Sequence, residues 1–216
     1  MKNNITELVF ILDKSGSMSG FESDTVGGFN SMIAKQRDGE GEVLVSTVLF
    51  NDKSEVLHDR VPISAIREMT REDYCACGCT ALLDTIGNAI HHIANVHKYA
   101  RPEDVPEHTV FVITTDGMEN SSRRYLASEV KAMIKERTDE YGWEFIFVAA
   151  NIDAIETAGS IGIRPERAAN YRQTDEGINA CYSAMSSFIS CCRTFKRVDA
   201  DNTDWKKGLE DGEDDI

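Results

Sequence analysis

Positive charge is scarce in this chain of 216 residues: 23 Lys and Arg stand against 37 Asp and Glu, a formal net charge of −14. A surface of that sign repels phosphate backbones and anionic membranes, which argues against nucleic acid and lipid as partners. Long apolar runs are also missing. No stretch approaches the roughly 20 apolar residues of a membrane helix, and the N-terminal run Leu8 to Leu12 is cut short by Asp13 before it could serve as a secretory signal. The expectation is a soluble, cytoplasmic protein.

Catalytic signatures are equally sparse. There is no G-x-x-x-x-G-K-[ST] phosphate loop, and no G-x-S-x-G nucleophile elbow. His91, His92 and His97 fall on one predicted helix without the i, i+4 spacing of a metal pair. Of the six cysteines, Cys75, Cys77 and Cys79 form C-x-C-x-C rather than two separated C-x₂₋₄-C pairs of a structural zinc site, and Cys181, Cys191 and Cys192 fall in the last helix. In an intracellular chain such cysteines read as free thiols.

What is present is a regular alternation. Apolar runs of strand length at 6–12, 43–50, 110–113 and 145–148 alternate with helix-period segments at 22–36, 81–98, 126–137, 153–161 and 175–192. Asn51-Asp52 is a turn signal, so Ser54 to Arg60 reads as the returning arm of a hairpin, and Ala168 to Arg172 as a short last strand. This pattern predicts an α/β fold: a doubly wound, mostly parallel six-stranded sheet with one antiparallel edge strand and helices on both faces. The length suits one domain, taken as 1–197. Beyond it, Asp199, Asp201, Asp204, Glu210, Asp211, Glu213, Asp214 and Asp215 face only Lys206 and Lys207, so 198–216 reads as an acidic disordered tail in which Trp205 and Leu209 leave room for a short docking motif.

Directly after the first apolar run stands Asp13-Lys14-Ser15-Gly16-Ser17. A carboxylate and alternate hydroxyls at a strand end offer hard oxygen ligands of the kind Mg²⁺ favours. Ligand sites of doubly wound sheets gather where the βα loops meet at the carboxyl ends of the strands. Thr80 opens the long helix from such a loop, and Asp116 follows the strand ending at Thr115, so five oxygen-bearing side chains converge from three loops. Each has an ordinary alternative: Ser17 or Ser19 could cap the following helix, Thr80 could cap its own, and Asp116-Gly117 is a common turn pair.

Together the residues resemble the metal-ion-dependent adhesion site (MIDAS) of the von Willebrand factor A (vWA) domain: Asp13, Ser15 and Ser17 as Asp-x-Ser-x-Ser, Gly78-Cys79-Thr80 as the second loop, and Thr115-Asp116-Gly117 as the third. The stretches Phe111 to Asn120 and Phe147 to Ala154 are similar to stand-alone vWA domains of bacterial and phage proteins, and the resemblance runs from about residue 5 to about residue 195. It implies that Ser15, Ser17 and Thr80 bind Mg²⁺ (or Mn²⁺) directly, while Asp13 and Asp116 lie in its first or second shell and act partly through water. It further implies an open coordination position filled by an Asp or Glu of a protein partner, among relatives in some cases an AAA+ ATPase. Glu119 and Asn120 are expected to shape the site without ligating.

The leading expectation is therefore a non-enzymatic, metal-dependent protein-binding module. Two alternatives stay open at this stage: a Mg²⁺-dependent hydrolase or phosphotransferase, since such an ion also serves phosphoryl chemistry, and a structural scaffold with a vestigial site. Against the former, Ser15 stands where aspartate-nucleophile phosphatases carry a second Asp, and no His or Lys is placed near the three loops as an obvious base.

Overall fold

The computed structural model describes residues 4–194, 199 and 201–210 of the chain. Nine residues of β1, Ile5–Asp13, form the centre of the sheet. On one side β1 pairs in parallel with β2 (Glu42–Phe50), and on the other with β4 (His108–Thr115). β3 (Ser54–Pro62) returns antiparallel along β2 as the edge, while β5 (Glu144–Ala149) and β6 (Ala168–Asn170) extend the other side in parallel. The six strands lie in the order β3-β2-β1-β4-β5-β6, with the reversal of winding at β1. The predicted six-stranded sheet with one antiparallel edge is thus the observed one.

Strand β1 shows why the sheet has helices on both faces. Leu8, Phe10 and Leu12 point into a core shared with Phe29, Met32 and Ile33 of α1 (Glu22–Arg37) and Met185, Phe188 and Ile189 of α5 (Asp175–Thr194). Val9 and Ile11 point the other way, into a core with Ile86, Ile90 and Ile93 of α2 (Leu82–Tyr99), Val130 and Ile134 of α3 (Ala127–Tyr141), and Ala154 and Ala158 of α4 (Ala154–Ser160). Successive strand side chains alternate faces, so a run that is apolar at every position is stable only when both faces are covered. The same arrangement buries Glu7 in β1, where its carboxylate takes Arg60 Nε at 2.6 Å and His97 Nε2 at 2.5 Å.

The tail differs from its expectation. Asp204–Lys206 and Lys207–Glu210 are helical turns, and the Trp205 side chain is buried against Phe188, with its indole N–H donating to the Glu166 carbonyl at 3.1 Å. Arg167 draws the segment in by donating to the carbonyls of Asn202 and Asp199. Counting charges missed this because a single indole buries enough apolar area to offset the ordering of a short segment. Residues 198, 200 and 211–216 of the proposed tail lie outside the described residues. Among the described residues, no helix is long and apolar enough to cross a membrane.

Candidate metal site

All the parallel strands point their carboxyl ends at one rim, and β1 and β4 deliver Asp13 and Thr115 there as their last residues. Asp13 is buried, and both of its oxygens are held. Oδ1 accepts the Ser15 N–H at 2.7 Å, and Oδ2 accepts the Thr115 hydroxyl at 2.6 Å. The Tyr74 hydroxyl, itself buried, donates to the Asp13 carbonyl and so fixes the backbone at the same point. Ser17 Oγ donates to Asp116 Oδ1 at 2.7 Å. With that proton committed, the Ser15 hydroxyl donates across 3.1 Å to Ser17 Oγ. The first loop and the third are thereby joined through a line of hydroxyls ending on a carboxylate.

The second loop is laid against the first by backbone hydrogen bonds. Cys77 N donates to Lys14 O at 2.9 Å, and Gly16 N donates to Gly78 O at 3.0 Å. Gly78 sits at φ +81°, and a Cβ there would stand 2.6 Å from Asp52 Oδ1, so the residue two before Thr80 has to be glycine. Gly117 lies where the loops come together: a Cβ there would stand 3.4 Å from Ser17 Oγ and 3.6 Å from the Thr80 hydroxyl oxygen, in ordinary van der Waals contact with both. The hydroxyls of loops one and two thus face a bare Cα on loop three, and the three loops do meet.

Neither capping alternative is realised, while Asp116-Gly117 does lie at a bend of the backbone. The first residue of α2 is preceded by Ala81 without a side-chain cap, and α1 by Phe21 likewise, so neither Thr80 nor Ser17 nor Ser19 serves as one. The caps of α2 come from loop three, where Glu119 Oε2 accepts the Leu83 N–H at 2.9 Å and Ser122 Oγ accepts that of Asp84 at 3.0 Å. Asn120 clasps Thr80 from both sides, its Oδ1 accepting Thr80 N–H at 2.9 Å and its own N–H donating to Thr80 O at 3.1 Å. Glu119 and Asn120 shape the loop, as their positions next to Asp116 suggest.

Gln173, between β6 and α5, was not legible in the sequence. Its Nε2 donates to Asp116 Oδ2 at 2.7 Å and to Ser17 O at 3.1 Å. A lone amide in a short polar loop carries no pattern that points to a site. Asn151, after β5, reaches Gln173 in turn, at 2.5 Å from its Oε1.

Burial raises the Asp13 carboxyl above the ordinary carboxylate value; the Asp116 charge pushes the same way, and the Thr115 and Ser15 hydrogen bonds oppose it. Burial also raises Asp116, against hydrogen bonds from Ser17 and Gln173. Neither acid forms an ion pair among the described residues, and the groups that meet them are hydroxyls, an amide and a backbone N–H. Two buried carboxylates that approach each other with only neutral donors form a site whose charge a cation would complete. The donor set is all oxygen, which suits a hard divalent ion. Among the described residues no group of three or more His, Cys, Asp or Glu side chains has the geometry to hold a metal, as expected where hydroxyls make up most of the donors. All six cysteines are free, with Cys75, Cys77 and Cys79 exposed.

Residues 2–142 match the family described as VWA domain containing CoxE-like protein. The chain therefore belongs to that family. Among solved structures it is similar to proximal thread matrix protein 1 of the mussel byssus, at 15% identity and a TM-score of 0.58 over 86% of this chain and 46% of that one. A further structure of that protein, described as having a zinc-occupied MIDAS motif, aligns at 14% identity and a TM-score of 0.55, covering 86% of this chain and 46% of that one. A von Willebrand factor type A structure from Catenulispora acidiphila aligns at 12% identity and 0.54 over 88% of this chain and 43% of that one. At these identities the likeness is one of fold, and the chain spans less than half the length of each. No curated protein gives a significant match.

Proposed function

We propose that this protein is a cytoplasmic, non-enzymatic protein-binding module whose site takes up Mg²⁺ or Mn²⁺ through Asp13, Ser15, Ser17, Thr80 and Asp116, and that a partner's Asp or Glu carboxylate completes the coordination. One observation carries the reading: the hydroxyls of loops one and two face the bare Cα of Gly117 while two buried carboxylates beneath them have only neutral partners. A bound divalent ion supplies a Lewis-acidic position for an anionic ligand. The chain's own residues do the rest. Ser15, Ser17 and Thr80 contribute neutral oxygens, which leave the ion's charge less satisfied than carboxylates would. Asp13 and Asp116 hold the hydroxyls in line and balance part of the charge. Ser17 is exposed and marks the side from which a partner approaches.

Membership of the vWA family and the zinc-occupied MIDAS of the mussel relative support the same reading. An AAA+ ATPase displaying an acidic residue is the partner class we favour. A pull-down from a native extract tests this: a partner retained with Mg²⁺ and lost with EDTA, and lost equally for Asp116→Ala, is expected. Retention unaffected by both would sink the reading.

A further inference from the structure

Gln173 ties the first loop, the third loop and the far strands into a single unit. Its Nε2 reaches Asp116 Oδ2 at 2.7 Å and the Ser17 carbonyl at 3.1 Å. Both partners are acceptors only, so the group facing them has to be the donating end of the amide. The other end, Oε1, receives Asn151 Nδ2 at 2.5 Å. Asn151 sits at φ +57°, a left-handed conformation that asparagine tolerates better than most residues. This bent backbone at the end of β5 presents its amide to Gln173 instead of continuing the strand.

A reversed Gln173 amide would set its oxygen against the Asp116 carboxylate and the Ser17 carbonyl, and its NH₂ against the NH₂ of Asn151. Asp116 and the Ser17 carbonyl therefore select the orientation of the Gln173 amide, and Asn151 braces it by donating to the Oε1 that this orientation turns away from them. Asp116 then has Ser17 on Oδ1 and Gln173 on Oδ2, and its carboxylate plane is fixed.

We propose that Gln173 is a positioning residue of the metal site, setting the orientation of Asp116 and of the Ser17 backbone, and that Asn151 acts through it by bracing the far end of its amide. The proposal rests on the metal-binding reading above. Partners of this kind change metal affinity by about 10–100-fold when lost. Three observations support a role beyond packing: Gln173 is half-buried rather than part of the core, both ends of its amide are engaged, and both bonds of its Nε2 end on the site.

The test is Mn²⁺ binding to the full chain, followed by the electron paramagnetic resonance signal of free Mn²⁺, with thermal unfolding in EDTA measured alongside. Gln173→Ala is expected to bind about 10–100-fold more weakly than wild type, with an unchanged midpoint in EDTA. Asn151→Asp, which sets an acceptor against Gln173 Oε1 where Asn151 donates and so pushes the amide out of place, is expected to weaken binding similarly. The double variant should be no weaker than the weaker single one. Wild-type affinity in both single variants overturns the proposal while leaving the metal reading intact. So do independent, additive losses in the double variant, or a fall of the EDTA midpoint that accounts for the lost affinity. A wild-type chain that binds no Mn²⁺ overturns both.

Discussion

Strand β1 carries an acid near each of its ends, and the two are buried by opposite means. At the amino end Glu7 is fully buried and meets two side chains that can carry positive charge: Arg60, with 22% of its side chain exposed, and His97, whose ring also packs edge-on to Trp143 at 5.4 Å. At the carboxyl end Asp13, with Asp116 beside it, is just as hidden but meets hydroxyls, amides and a backbone N–H. Burying a carboxylate is costly unless its charge is matched. The amino end matches it from within the chain. The carboxyl end holds two acids that pair with no cation among the described residues, Lys14 reaching Glu55 instead, which is the arrangement expected of a site completed by an external one.

The comparison is broken most strongly at Glu7. Glu7→Gln leaves Arg60 and His97 without their carboxylate, and removal of one partner from a buried pair costs about 3 kcal/mol at the lower end of the usual range, the end appropriate to a partly exposed Arg60. Urea unfolding should show this loss, and Mn²⁺ affinity should stay at its wild-type value. Loss of metal binding in this variant would mean that the two ends are not independent.

The converse experiment adds ion rather than removing charge. Mg²⁺ at a hundred times its dissociation constant should raise the unfolding free energy by about 2.7 kcal/mol in the wild type and equally in Glu7→Gln. Asp13→Asn should show no such gain. Equal gains in all three proteins would place the bound ion elsewhere.

A smaller effect concerns pH. His58 on β3 is buried with Nδ1 at 3.1 Å from Thr47 Oγ1, stacks on Phe29 and leaves Nε2 without a hydrogen-bond partner among the described residues. Burial lowers its pKa below the ordinary histidine value, with the Arg67 charge acting in the same direction. Because the folded value lies below the unfolded one, its stabilising contribution is complete above about pH 6.5 and is lost as pH falls through the lowered folded value. Stability measured by urea between pH 7 and pH 5 should decline, and His58→Phe should flatten that decline. An unchanged slope would assign the acid sensitivity to other groups.

The smallest expected effect is on thiol chemistry. Cys75, Cys77 and Cys79 are exposed, whereas Cys181 and Cys192 are buried and their thiols are raised well above the ordinary range by burial. An aromatic disulfide reagent should modify the three loop thiols quickly in the folded protein, and Cys181 and Cys192 only after unfolding. Quick modification of the buried pair would show that α5 opens readily.

Much of this was legible in the residues because the elements repeat a strong physical pattern. Apolar runs such as Val110 to Ile113 read as strands covered on both faces, and Asp13, Ser15, Ser17, Thr80 and Asp116 stand out as candidates because they fall in loops that follow such runs or lead into a helix. Glu7 was not legible as a buried acid. A single acid at the start of a strand reads as facing solvent, and its partners come from β3 and α2, 53 and 90 residues away. Gln173 and Asn151 stayed hidden for the same reason, since their contacts with the site exist only after β5 and β6 are laid beside β4. Trp205 was outweighed in a composition dominated by charge.

Calorimetric titration of Mg²⁺ into the metal-free full chain at pH 7, beside Asp13→Asn, tests the central claim most directly. One ion bound per wild-type chain, with no heat of binding from Asp13→Asn and an unchanged fold by circular dichroism, is the predicted result. A wild-type chain that takes up no Mg²⁺, or an Asp13→Asn chain that binds it with the same affinity, would contradict the reading of the two buried carboxylates as a cation site.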